Sequence, residues 1–152
     1  MALTHDFVAF PELTNGQMNQ FYFDSPHKQI TEDFEGEVVK VHDGDTITMR
    51  TNFRDFDFQV RFVSTNAPEL SEDGGERSRV WLDNIILNQI VTVRVDKKNR
   101  VGKFGRLLGN VEFGGMSINE ASIINGMATP FDRRFEGEVE DLNKILQEGV
   151  IK

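Results

Sequence analysis

Three stretches between residues 37 and 62 alternate apolar and polar side chains with a period of two. In the first stretch Val39 and Val41 share one face, and in the second Ile47 and Met49 do so. The third is the most regular, and its apolar face carries Phe56, Phe58, Val60 and Phe62. Successive side chains of a strand point to opposite faces, so the pattern predicts three strands that each turn one face toward a core.

The rest of the chain mixes helical and strand patterns. Residues 76–88 contain apolar i,i+4 pairs and are predicted to form a helix. Alternating apolar residues predict strands at 91–95 and 107–113. A second helix begins at the capping-box pattern 117–120, and a third, amphipathic helix is predicted at 139–149. Strands and helices in this order predict an α+β fold.

The first 34 residues follow neither pattern. They contain five acidic residues and one lysine, a net charge of −4, with aromatic residues scattered among polar ones. We therefore divide the chain into an N-terminal arm, residues 1–34, and a domain, residues 35–152. An arm without periodic apolar residues needs a surface to lie on, which is either its own domain or a partner chain.

Composition excludes several classes of protein. The chain contains no cysteine, which excludes disulfides and thiolate metal sites. No apolar run approaches the roughly 18 residues that a membrane span requires, so we expect no membrane partner. The N-terminus has neither the basic nor the apolar segment of a secretory signal, which favours a location inside the cell.

Four polar segments lie at the ends of predicted strands. Asp43-Gly44-Asp45-Thr46 follows the first strand; taken alone, its Asp-Gly pair is more typical of a hairpin turn than of a functional site. Arg61, Asn66-Ala67-Pro68-Glu69 and Lys103-Phe104-Gly105-Arg106 come later. Together these segments supply oxygen ligands, a carboxylate and two arginines, the groups that metal-assisted phosphodiester cleavage needs.

The four segments resemble the staphylococcal nuclease (thermonuclease) family, from about Glu35 to the C-terminus. The resemblance implies a five-stranded OB-fold β-barrel with three packed helices. It also implies a calcium-dependent endonuclease that hydrolyses phosphodiester bonds of DNA or RNA, although other divalent cations remain open as the cofactor.

The resemblance implies metal ligands at Asp45, at Asn66 and at the backbone carbonyl of Ala67. The family usually has an aspartate where this chain has Asn66. An amide oxygen can still bind calcium, but the replacement removes one negative charge. Affinity in oxygen sites follows ligand charge, so we expect weaker metal binding.

The resemblance implies three catalytic residues. Glu69 would orient or deprotonate the attacking water. Arg61 and Arg106 would neutralise the charge that builds on the phosphate, because an arginine fork can bind two phosphate oxygens. The alternative for each arginine is a structural salt bridge, to Asp57 or Glu112.

Substrate binding is implied at Lys103 and Phe104, and Phe131 is a candidate for stacking on a base. The family's tyrosine is replaced by Phe104, which has no hydroxyl to hold a terminal phosphate. Residues 94–106 contain six lysines and arginines against one aspartate, a net charge of +5. Such a run is often a solvated loop, but its end at Arg106 favours a surface that faces the substrate.

A different class of function stays open. The chain's net charge of −8, together with Asn66 and Phe104, suits a module that has kept the fold and lost catalysis. Such a module would be a structural or binding subunit of a larger assembly, for example a phage particle, with residues 1–34 as the contact to a protein partner. The retained carboxylates and arginines favour the nuclease.

Overall fold

The computed structural model describes residues 3–130. The α-helices in this range are α1 (Asn15–Phe21), α2 (Gly75–Ile86) and α3 (Ile118–Ile124), and a 3-10 turn, Tyr22–Asp24, follows α1. The strands are β1 (Phe34–Asp43), β2 (Thr46–Arg50), β3 (Phe58–Phe62), β4 (Thr65–Asn66), β5 (Ile90–Arg94), β6 (Leu107–Phe113), β7 (Met116–Ser117) and β8 (Thr129–Pro130). None of these helices has the length and apolar character that a membrane span requires.

Five strands close into a barrel in the order β3-β2-β1-β5-β6. Four neighbouring pairs are antiparallel, and a parallel pairing between β3 and β6 closes the ring. Closure leaves the barrel without an open edge strand. The predicted α+β fold with a five-stranded OB-fold barrel is confirmed. The helices predicted at 76–88 and from residue 117 are confirmed as α2 and α3, whereas 139–149 lies outside the described residues.

The barrel interior is filled by the apolar faces of its strands, closed at one side by α2. Its fully buried side chains include Val38, Ile47, Met49, Val60, Phe62, Leu82, Ile86, Val91, Val93, Leu107 and Val111. The alternation predicted for β2 and β3 describes the core correctly from Phe58 onward, whereas Phe56 lies before β3 and is only partly buried.

The alternation predicted for β1 is wrong at Val39. Val38 is fully buried and Val41 is 4% exposed, whereas Val39 is only partly buried. The pairing of β1 with β2 shifts register between Val38 and Lys40. A bulge inserts one extra residue on one strand and exchanges the faces beyond it, so Val38 and Val41 both point inward.

The N-terminal arm packs on its own domain through buried side chains. Leu13 is fully buried, and Phe21 and Ile30 are almost so. The arm also contains α1, which the sequence pattern did not predict; its N-cap is Thr14, whose hydroxyl accepts the N–H of Gln17 in a complete capping box.

A buried carboxylate of the arm, Glu12, holds two arginines of the domain. It pairs with Arg54 through one oxygen and with Arg100 through the other, and all three residues are at most 6% exposed. The guanidinium of Arg54 also lies 4.9 Å from the ring centre of Phe56 and 4.7 Å from that of Phe58. The arm therefore supplies the one carboxylate that two buried arginines share.

Candidate functional site

The loop between β1 and β2 is held in place by close packing. A Cβ on Gly44 would lie 1.9 Å from Ser78 Oγ of α2 and 2.7 Å from the Ala67 side chain. Gly44 does not have a positive φ, so space rather than turn conformation requires a glycine there. The packing fixes the neighbouring Asp45 against the segment that contains Ala67.

Asp45 is a buried carboxylate, 5% exposed. Its Oδ1 accepts the Thr46 hydroxyl at 3.1 Å, and its Oδ2 accepts the Ala67 N–H at 2.8 Å. Burial raises the pKa of Asp45 to about 7; Asp43 adds to the increase, and Arg61 and the Ala67 N–H oppose it. The surrounding protein therefore leaves the negative charge of Asp45 incompletely compensated.

Arg61 lies between two of the predicted metal ligands. Its Nη2 is 3.4 Å from Asp45 Oδ2 and 3.5 Å from Asn66 Oδ1. Its Nη1 donates to the backbone oxygens of Phe62 and Thr65, at 2.7 and 3.0 Å. Arg61 is thus anchored by its own loop and faces Asp45 and Asn66 together.

Arg106 reaches the same group of residues from the start of β6. Its Nη1 lies 3.4 Å from Thr46 Oγ1, whose hydroxyl donates to Asp45. The register explains this proximity, because Thr46 pairs with Arg61 and Arg61 pairs with Leu108 in the barrel-closing β3–β6 contact. A continuous series of contacts therefore links Arg106, Thr46, Asp45, Arg61 and Asn66.

Glu69 lies outside this series. Its side chain is exposed, and its carboxylate accepts no hydrogen bond from residues 3–130. The backbone around it is fixed: its N–H donates to Glu72 Oε1 at 2.7 Å, and its carbonyl accepts the Glu72 N–H at 2.9 Å. A Cβ on Gly75 would lie 1.9 Å from the Glu69 carbonyl, so the first residue of α2 packs directly on this backbone.

The predicted substrate-binding residues lie beside Arg106. Phe104 is 68% exposed, and the Arg106 guanidinium lies 5.7 Å from its ring centre. The Lys103 ammonium lies 5.9 Å from the same ring. Phe131 is outside the described residues. The structure therefore places Lys103 and Phe104 next to a candidate phosphate-binding arginine.

Comparison with known proteins gives the family of this fold. Residues 59–148 match the model of the family described as staphylococcal nuclease homologue. The chain belongs to that family. The matched segment includes Arg61, Asn66, Glu69 and Arg106, and Asp45 precedes it.

Two of the similar proteins carry nuclease names. An uncharacterized endonuclease of Escherichia coli O157:H7 is 31% identical over 102 residues, which cover 66% of this chain and 63% of that protein. A micrococcal nuclease of Shigella flexneri is 34% identical over 118 residues, covering 72% of this chain and 64% of that protein. The chain thus spans just under two thirds of the length of these relatives.

The basic run at 94–106, which we expected to face the substrate, does not form one exposed surface. Arg100 is buried, with its guanidinium on Glu12 and on the carbonyls of Leu13 and Ile30. Arg94 pairs with Asp33 and Glu112 at the surface. Arg100 therefore stabilises the fold from inside, and Arg94 is occupied by surface ion pairs. Their partners were too distant in sequence to be predicted.

The structural salt bridges to Asp57 or Glu112 that we considered for Arg61 and Arg106 do not form. Asp57 pairs with Arg50, and Glu112 with Arg94, rather than with Arg61 or Arg106. Thr46 is a member of the site that sequence reasoning missed. Its position in the segment Asp43-Gly44-Asp45-Thr46 was the available signal.

Proposed function

We propose that this chain is a metal-dependent nuclease that hydrolyses phosphodiester bonds of DNA, RNA or both. The supporting observation is the series of contacts from Arg106 through Thr46, Asp45 and Arg61 to Asn66. It joins one arginine to a buried carboxylate directly and a second through the Thr46 hydroxyl, which is an arrangement suited to a phosphate and a cation bound side by side.

The oxygen donors around Asp45 are of the type that a hard divalent cation such as calcium prefers. The residues that would hold it are Asp45, Asn66 and the backbone carbonyl of Ala67, all through oxygen. The incompletely compensated charge of buried Asp45 favours a cation there. Within residues 3–130 no three carboxylate, histidine or cysteine side chains lie together so that they could hold a metal ion, so a cation here would depend on amide and backbone oxygens beside Asp45. When bound, such a cation would lower the pKa of a water and screen the phosphate charge.

The protein's own groups would carry the remaining steps. Arg61 and Arg106 bind the scissile phosphate and stabilise the negative charge that grows on it as water attacks phosphorus. We assign Glu69, in the segment Asn66-Ala67-Pro68-Glu69, as the acceptor of that water's proton; its exposed carboxylate accepts no hydrogen bond within residues 3–130. The bond from phosphorus to the leaving oxygen then breaks, and the leaving oxygen takes up a proton from solvent.

One observation favours the second candidate, a binding or structural module without catalysis. The single fully retained anionic ligand, Asp45, is already paired with Arg61, and Asn66 adds no charge. In this alternative the exposed apolar residues of the arm, such as Val8 and Phe23, would contact a partner in a larger assembly.

A cleavage assay decides between the two candidates. Labelled single- and double-stranded DNA and RNA are incubated with the protein in calcium, in magnesium and in EDTA. The nuclease predicts fragments with at least one divalent cation and none in EDTA. Intact substrates under all conditions, with measurable binding, would support the module instead.

A further inference from the structure

The N-terminal arm reaches the loop that contains Lys103, Phe104 and Arg106 through Phe10. The Phe10 ring covers Gly105, since a Cβ at Gly105 would lie 2.6 Å from Phe10 Cδ1. Gly105 has φ of +79°, which favours glycine, and it stands between Phe104 and Arg106. An arm residue is therefore built against the loop that carries both.

The position of Phe10 is fixed by its neighbours in the arm. Its carbonyl contacts His5 Nε2 at 2.7 Å, and its N–H donates to the Asp6 carbonyl at 3.0 Å. Two residues later, Glu12 anchors the chain in the buried ion pairs with two arginines. These contacts fix the backbone at Phe10, which lowers the entropic cost of placing its ring against a ligand.

Phe10 nevertheless keeps 46% of its surface exposed, and Phe104 keeps 68%. Lys103 and Arg106 both lie within 6 Å of the Phe104 ring centre. Exposed aromatic rings beside cations are the combination that binds a nucleic acid strand, with bases on the rings and phosphates on the cations. Phe23, at 96% exposure on the same arm, contacts Tyr22 and has no cation contact in the described residues.

We propose that Phe10 stacks on an unpaired nucleobase next to the phosphate that Arg106 binds, so that the arm forms part of the nucleic-acid surface. The inference rests on the proposed nuclease function for its choice of ligand. An unpaired base is required because the faces of a base in a duplex are covered by its neighbours.

Binding measurements test the stacking separately from cleavage. The variants are Phe10→Leu, Phe10→Trp and, as control, Phe23→Leu, each in a Glu69→Gln background that suppresses cleavage. The probe is a labelled single strand of about 12 nucleotides, within the range that one such barrel binds, alongside an abasic strand of the same length.

Phe10→Leu should weaken binding of the strand that carries bases by roughly 5- to 100-fold and leave binding of the abasic strand unchanged. Phe10→Trp should restore affinity, and the base-carrying strand alone should quench the added tryptophan fluorescence, measured against the signal of Trp81. Phe23→Leu should match its parent.

Equal affinities in Phe10→Leu and its parent, or an equal loss on both strands, would overturn the stacking role and leave Phe10 as a packing residue. Urea unfolding of Phe10→Leu shows whether an equal loss on both strands comes from a less stable fold. Absence of cleavage by the unmutated chain would refute the nuclease while leaving the binding result intact, so the two failures are distinguishable.

Discussion

Arg61 Nη2 lies 3.4 Å from Asp45 Oδ2, which joins a candidate phosphate-binding arginine to a candidate metal-binding carboxylate. Removing Arg61 would take away a proposed phosphate contact and also leave Asp45 buried beside fewer cationic groups. A loss of activity in an Arg61 variant would therefore have two explanations. Arg106 and Glu69 allow cleaner tests, because neither contacts the Asp45 carboxylate directly.

Arg106→Ala should lower kcat/KM for cleavage by at least about 100-fold, the effect of removing one preorganised transition-state contact. The matched control is Arg50→Ala, which removes an arginine that pairs with Asp57 on the surface. Steady-state cleavage rates of a labelled strand give kcat/KM for both variants. Activity of Arg106→Ala equal to that of the control would exclude Arg106 from the reaction.

Glu69→Gln should reduce kcat by a similar factor of about 100 or more, because glutamine cannot accept the proton of the attacking water. Substrate binding should change little, since the side chain size is kept. Glu120→Gln, at an exposed position in α3, is the control. If single-turnover cleavage by Glu69→Gln proceeds at the original rate, the proton acceptor is another group.

Asn66→Asp should tighten calcium binding and raise activity when metal is limiting, because it restores an anionic oxygen beside Asp45 and Arg61. Calorimetric titration measures the affinity. Asn52→Asp adds the same charge in the exposed turn beyond the far end of β2 and should leave affinity unchanged. Equal or weaker binding in Asn66→Asp would remove position 66 from the ligands.

Glu12→Gln should lower the free energy of unfolding by about 3–5 kcal/mol, the usual cost of leaving buried charges without their partner. Burial already lowers the pKa of Arg100, and Glu12 is the group that opposes this shift. Urea unfolding measures the change. Asp57→Asn, which breaks an exposed pair, should have little effect.

The same reasoning applies to the boundary predicted between residues 34 and 35. Without the arm, Arg54 and Arg100 would lose their shared carboxylate. We expect residues 35–152 alone to be less stable than the full chain, and thermal unfolding of both decides whether the domain folds independently. A truncated chain with an unchanged melting temperature would show that the arm contributes nothing to stability.

Most of the barrel could be predicted because its strands alternate regularly. The predicted strand at 107–113 has the same bounds as β6, and the predicted core faces of β2 and β3 are buried. Val39 was misplaced because a bulge shifts the phase of alternation without changing composition. Helix α1 was missed because, in seven residues, it buries only Phe21.

The site was predictable as a set of segments and not as a set of contacts. The motifs proposed Asp45, Arg61 and Arg106 as candidates, but the contact of Thr46 with this group followed only from the β2–β3 register. The role of Glu12 was hidden for a similar reason, since its partners lie 42 and 88 residues away in the chain. Pairings over such distances leave no local pattern in the sequence.

The parallel contact of β3 with β6 has a consequence for folding. Arg61 and Arg106 come together only when Val60 meets Leu107 and the ring of strands closes. Contacts between segments so far apart in sequence form slowly, after the local hairpins. Any activity that uses both arginines therefore requires the closed ring. During denaturation this activity should be lost when the β3–β6 pairing opens, even if α2 is still folded.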